Sequence, residues 1–244
     1  LLDRENIESA INSSLERLQT DYIDLYQLHW PDRRMSMFGA DGLGYKHYEA
    51  ETVPILETLN VLSDLVKSGK IRYIGLSNET PWGLSEFIKY SEQLDLPRIV
   101  SVQNAYNFLN RTYELGMSEF HHRSQVGLLA YSPLAQGYLS GKYIDGARPA
   151  GARTTLFERG DRYEIPAANE AIKSYVGYAQ SINMDPSVMA NSFVNSRDFV
   201  TSNIIGATTM EQLKLAIGSI DVKLSEEDLK QINLIHRNNP NICP

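Results

Sequence analysis

One cysteine in 244 residues is too few for an internal disulfide. It is Cys243, next to the last residue, so a reducing compartment, the cytoplasm, is expected. Basic charge is also in deficit, with 23 Lys and Arg against 30 Asp and Glu, a net −7. A chain of that sign makes a poor polyanion ligand, so neither nucleic acid nor an anionic membrane is an expected partner. No window approaches the roughly 20 apolar residues of a membrane span. An initial Met is absent, and Leu1 to Leu18 has neither the apolar run of a signal peptide nor the basic bias of a transit peptide. The expectation is a start that was removed, or a fragment. No low-complexity tract, charge run or linker divides the chain, so one domain over residues 1–244 is expected.

Against these absences stand five short runs rich in β-branched and apolar residues: Tyr22 to Leu28, Ile71 to Leu76, Ile99 to Val102, Val126 to Tyr131 and Thr201 to Ile205. They are apolar on both faces, the pattern of buried parallel strands. Helical patterns lie between them, the first over Asn6 to Leu18. Thr80 before Pro81 and Asp185 before Pro186 read as N-caps with proline at the first helical position, and Ser225 with Asp228 reads as a capping box. Strand starts at 22, 71, 99, 126 and 201 are 49, 28, 27 and 75 residues apart. A bare βα unit takes about 25 to 30 residues, so the outer steps carry insertions, Trp30 to Ala50 and Ala135 to Pro166.

Each run closes on hydrogen-bonding residues: Gln27 and His29; Ser77 and Asn78; Gln103 and Asn104; Tyr131 and Ser132; Gly206 with Thr208 and Thr209. A doubly wound sheet concentrates its site at one switch point, whereas every strand end of a barrel faces one mouth. Polar residues at all five ends favour an α/β fold of the (β/α)8 TIM-barrel type, present as its C-terminal five strands with their helices. On that count, three strands are expected before Leu1.

The stretches "DYIDLYQLHWPD", "GKIRYIGLSNET", "VSVQNAYN", "LLAYSPLAQGYLSGKY" and "NIIGATTMEQL", in that order, resemble the aldo-keto reductase superfamily. "QLHWPDRR" and "ARTTLFERGDRY" are most similar to its Tas-like bacterial branch. The resemblance covers essentially the whole chain. It implies hydride transfer between NADPH and a small-molecule aldehyde or ketone, with a tyrosine acid flanked by Lys, Asp and His. Its Asp, Tyr and Lys follow the second and third strands, which are expected upstream of Leu1. The 244 residues alone are therefore expected to fold poorly and to lack reductase activity. Other readings of the chain are a non-catalytic nucleotide-binding or interaction module and a truncated, inactive product.

Residue by residue, the resemblance implies that His29 polarises the substrate carbonyl; without it, a lone His after an apolar strand reads as structural. Ser77, Asn78 and Gln103 match the grip on the nicotinamide carboxamide, which needs donors and acceptors together. Strand-end capping would use the same residue types. Tyr131 matches the ring that stacks on the nicotinamide. Ser132, Leu134, Gln136 and Gly137 resemble the loop over the pyrophosphate, with Lys142 and Arg153 adding positive charge. Gly206, Thr208 and Gln212 match the segment that receives the 2′-phosphate and adenine at a helix N-terminus, although Thr209 with Gln212 also fits a capping box. Leu215 and Ala216 stand where relatives often place Glu and Asn on the adenine. NADPH is accordingly expected to bind more tightly than NADH, with Lys142 helping to read the phosphate.

Competing motifs fail on spacing. Only three residues separate Gly137 from Gly141, and Tyr143 stands where a P-loop needs Ser or Thr. Gly42 and Gly44 follow no strand and read as loop glycines. His121 and His122 are adjacent instead of four apart, and His47 and His236 have no partner pattern, so no metal is expected. Sequons at Asn12, Asn78 and Asn110 read as chance matches.

Overall fold

The computed structural model describes residues 1–35, 48, 52–157 and 160–244. Gly42, Gly44 and His47, with most of the first insertion, lie outside the described residues. The element order is α1 (Arg4–Leu18), β1 (Ile23–Leu28), α2 (Ile55–Lys67), β2 (Ile71–Ser77), α3 (Pro81–Leu94), β3 (Ile99–Ala105), α4 (Ser118–Ser124), β4 (Gly127–Tyr131), α5 (Arg153–Phe157), α6 (Pro166–Ser181), α7 (Pro186–Asn195), β5 (Val200–Ile204), α8 (Met210–Gly218) and α9 (Glu226–Asn238). All five expected strands form. β3 continues past Val102 to Ala105, so Gln103 and Asn104 are strand residues and not loop residues. The strands are neighbours in chain order, β1-β2-β3-β4-β5, with β1, β2 and β3 in parallel register. A doubly wound sheet would reverse that order at its switch point; a barrel does not. The fold is α/β with five parallel strands. Among the described residues, no helix is long and apolar enough to cross a membrane.

Helix starts follow local chemistry. The Thr80 hydroxyl accepts from Gly83 N ahead of α3, and the Asp185 carboxylate accepts from Ser187 N and Val188 N ahead of α7. Ser225 and Asp228 form both bonds of a capping box at α9. α8 starts differently. Thr209 caps Gln212 N, but the Gln212 side chain reaches Thr208 N, at 2.9 Å, and not the cap residue.

By its internal packing the chain falls into two compact units, one of Leu1–Asn104 with Glu119–Leu128 and one of Ala105–Ser118 with Leu129–Pro244. In the first, β1 to β3 turn Leu28, Ile74, Leu76 and Val102 to one face, all buried. Leu59, Leu62 and Leu65 of α2 and Leu84, Phe87 and Ile88 of α3 are buried as well, each contributing roughly 1.5 to 3 kcal/mol of burial. The other face carries the polar series: Gln27, Gly75 and Ser101 align across the strands, followed by Ser77 and Gln103.

The second unit has an aromatic core. Phe108 stacks on Tyr175 with ring centroids 4.4 Å apart, and Phe193 lies 4.9 Å from Phe108. Beside it, Arg111 grips Glu114 through Nε at 2.9 Å and Nη2 at 2.8 Å, and donates to Asn233 through Nη1. The Tyr106 hydroxyl donates to Glu114 as well. Burial alone would raise the Glu114 carboxyl, but its bonds to Arg111 and Tyr106 outweigh this and hold it below its ordinary 4.5. A folded-state pKa below the unfolded one means stabilisation that is complete above pH 4.5 and lost as pH falls below it. Urea titrations at a series of pH values should therefore show a shallower acid loss of stability in Glu114→Gln than in the parent. Parallel acid limbs would show that Glu114 contributes nothing to the pH dependence.

Two other expectations meet the structure here. His121 and His122 occupy the last turn of α4, edge to face at 5.1 Å. The sequon residues Asn78 and Asn110 are buried, which leaves no room for a glycan on either.

Candidate active site

In the first unit, four of the expected residues are joined by hydrogen bonds at the C-terminal ends of β1, β2 and β3. Asn78 Nδ2 donates to the His29 carbonyl at 3.0 Å and to Ser77 Oγ at 3.3 Å. The Ser77 hydroxyl donates to the Gln103 carbonyl at 2.8 Å, and the same carbonyl accepts from Asn78 N at 3.1 Å. Asn78 takes a left-handed backbone, φ 53, which asparagine tolerates better than most residues and which turns its amide back across the strand ends. Ser77 and Asn78 are buried, whereas the His29 ring is exposed, near-stacked on Trp30 at 5.8 Å.

Gln27, which sequence reasoning left out of the site, belongs to the group. Its Nε2 donates to Gln103 Oε1 at 3.0 Å, while its own Oε1 is buried with no hydrogen-bond partner among the described residues. The signal was available: Gln27 and His29 are two apart, so they face the same side of the strand. Gly75 leaves the space between Gln27 and Ser101, since a Cβ there would meet Gln27 Cγ and Ser101 Oγ at 2.9 Å each. Bordering Ser77 on the helix side of the sheet lies a cavity of about 240 Å³, lined by Leu28, Leu76, Trp30, Trp82, Phe87 and Tyr90 and bounded by Arg33 and Glu79; His29, Asn78 and Gln103 are not among its lining residues.

The remaining expected residues lie in the second unit. Tyr131 closes β4; its carbonyl accepts from Tyr106 N at 3.2 Å, and the Ser132 carbonyl accepts from Asn107 Nδ2 at 2.9 Å. Burial raises the Tyr131 phenol above its ordinary value, and the neighbouring Arg162 opposes the rise. Left-handed backbone then recurs at Ser132, Ala135, Gln136 and Gly137, with φ of 58, 47, 57 and 99. Within this run the turns close on themselves, Ala135 N donating to the Ser132 carbonyl at 2.9 Å and Gly137 N to the Leu134 carbonyl at 2.8 Å. The Lys142 ammonium rests on that loop, because a Cβ on Gly137 would lie 3.0 Å from its Nζ. Arg153 begins α5 and is exposed.

Gly206, Thr208 and Gln212 are exposed at the start of α8. Gln212 Oε1 accepts from both Thr208 N and Thr208 Oγ1, at 2.9 and 3.1 Å. Leu215 and Ala216 are half-buried in the same helix. Cys243 is buried, which pushes its thiol up to about 11 and leaves it unreactive at neutral pH.

Comparison with known proteins agrees with the geometry. A family model described as "Aldo/keto reductase family" matches residues 1–237. The chain is similar to Protein tas of Escherichia coli, 48% identical over 237 residues, which is 97% of this chain and 68% of that protein. An aldo-keto reductase of Babesia bovis is 37% identical over 96% of this chain and 87% of its own length. L-glyceraldehyde 3-phosphate reductase of Escherichia coli is 28% identical over 94% of this chain and 63% of its own. Ordered strand-end residues, strands adjacent in chain order and a family match along almost the whole length agree, and the chain belongs to the aldo/keto reductase family of oxidoreductases.

Proposed function

We propose that this chain binds NADPH and serves reduction of a small carbonyl compound, an aldehyde or ketone. The observation that carries the reading is the bonded group His29, Asn78, Ser77, Gln103 and Gln27 at the strand ends of the first unit. Its polar inventory suits a carboxamide. Gln27 Oε1 is a buried acceptor that a carboxamide NH2 would satisfy, and Ser77, Asn78 and Gln103 supply donors and acceptors around it. In the second unit, Tyr131 would present a ring face. Ser132, Leu134, Gln136 and Gly137, with Lys142 and Arg153, would hold the pyrophosphate, and Gly206, Thr208 and Gln212 the 2′-phosphate end.

When bound, the dihydronicotinamide supplies a hydride to the carbonyl carbon. His29 offers a ring nitrogen to the carbonyl oxygen and stabilises the charge that grows there. Asn78 holds the His29 backbone, which orients the ring.

The test is titration of the natural gene product with NADPH and NADH by quenching of tryptophan fluorescence, then an assay of NADPH oxidation with a reactive aryl aldehyde. NADPH should bind more tightly, and oxidation should require both protein and aldehyde. Failure to bind either nucleotide would sink the proposal.

A further inference from the structure

We propose that Arg33, half-buried, and Glu79, buried, form a positioning pair, which sets His29 and Asn78 for catalysis by tying the segment after β1 to the turn after β2. The proposal rests on the functional reading given to His29 above. The residues are 46 apart in sequence and both line the cavity. Arg33 Nη2 bonds to Glu79 Oε1, and Nη1 donates to Oε2 at 3.3 Å. The Glu79 side chain is 3% exposed. Arg33 Nη2 also donates to Thr80 Oγ1 at 3.0 Å, and its guanidinium lies 4.9 Å from the Trp82 ring centre.

Glu79 is pinned at every polar group. Its N donates to Asn104 Oδ1 at 3.1 Å and its carbonyl accepts from Asn104 Nδ2 at 2.9 Å, while Oε1 accepts from Thr80 N at 2.6 Å. The preceding residue, Asn78, holds the His29 carbonyl. The segment from His29 to Arg33 is therefore tied at both ends to one turn, by its first carbonyl and by its last side chain. That double tie fixes Trp30, Pro31 and Asp32 between them, and with them the direction in which the His29 ring leaves the backbone.

Stability gives no sufficient reason for such a pair. Two charges taken out of water recover their desolvation cost only with excellent geometry, and apolar residues of similar size often serve the fold as well or better. What an apolar pair cannot supply is a directional, two-pronged link. The fold also reserves space for this link: a Cβ at Gly83, in the first turn of α3, would overlap both Arg33 Nη2 and Glu79 Oε1.

The experiment compares three variants of the natural gene product: the double replacement Arg33→Met with Glu79→Leu, Gly83→Ala, and His29→Ala. The double variant removes both charges together and leaves neither buried alone; Gly83→Ala keeps both charges but wedges them apart. Readouts are the melting temperature, the Hε1–Cε1 cross-peak of His29 in a carbon-correlated NMR spectrum, and kcat and KM separately. The His29 cross-peak should move in the first two variants while they remain folded, and kcat should fall roughly ten- to a hundredfold, the scale of a small misplacement of a catalytic group, with KM little changed. An unmoved cross-peak in a folded double variant overturns the positioning role. Full activity in His29→Ala overturns the functional reading, whatever the cross-peak does in the other two.

Discussion

Replacing His29 by alanine should lower kcat/KM for carbonyl reduction by about 10²- to 10³-fold and leave the affinity for NADPH unchanged. The magnitude is that of removing one donor aimed at a developing oxyanion, about 2.7 to 4 kcal/mol. The separation of the two effects comes from the way His29 is attached. Its bond to Asn78 is made by the backbone carbonyl and not by the imidazole, so alanine keeps that link, and with it the Asn78 N and Ser77 Oγ bonds to the Gln103 carbonyl. The ring itself is exposed, so truncation opens no cavity in the core and should barely change the melting temperature. Steady-state kinetics and a cofactor titration on the same preparation check both halves. A parallel loss of NADPH affinity would mean that the imidazole, and not the strand-end amides, organises the nicotinamide end. A wild-type kcat/KM would remove His29 from the chemistry.

The strands were legible in the sequence as short runs dominated by apolar residues, such as Ile71 to Leu76 with Arg72 its one charged member, although Arg72 and Tyr73 are exposed and the run is not buried on both faces; the caps were legible because Thr80, Asp185 and Ser225 act on neighbours two or three residues away. His29, Ser77, Asn78 and Gln103 stood out for a related reason: a polar group at the end of an apolar strand needs an explanation, and the ordered motifs supplied one. Links between distant elements left no such trace. Arg33 with Glu79, Gln27 with Gln103, 76 residues apart, and Arg111 with Asn233, 122 apart, all depend on how elements meet. An arginine in a loop reads as solvated until the structure shows a buried carboxylate opposite it. The start of α8 was half legible: the capping role of Thr209 was in the pattern, but the reach of Gln212 to Thr208 was not, since either residue is within range of that side chain.

Lys142→Ala should weaken NADPH and NADH by similar factors, about ten- to a hundredfold each. The sequence alone suggested that this lysine would help read the 2′-phosphate, which NADH lacks. In the structure its ammonium lies beside Gly137, in the run of left-handed residues from Ser132 onward, the loop proposed to face the pyrophosphate common to both cofactors. A charge-assisted bond to phosphate is worth roughly 1.5 to 3 kcal/mol, which sets the range, and added salt should shrink the loss by screening. Discrimination is then left to Thr208 and the first turn of α8, where backbone N–H groups and the helix dipole favour an anion. There Gln212 Oε1 occupies both Thr208 donors in the structure, at 2.9 and 3.1 Å, so it must give way when a phosphate arrives. Thr208→Ala should therefore weaken NADPH and spare NADH, the pattern opposite to Lys142→Ala. Gly137→Ala should behave like the lysine variant. Its φ of 99 lies outside the range an alanine holds without strain, and the added Cβ would come within 2.9 Å of Lys142 Cε, displacing the ammonium. Titrating both cofactors against the three variants separates the roles. Selective loss of NADPH in Lys142→Ala would return the lysine to the 2′-phosphate and leave the left-handed loop without its cation.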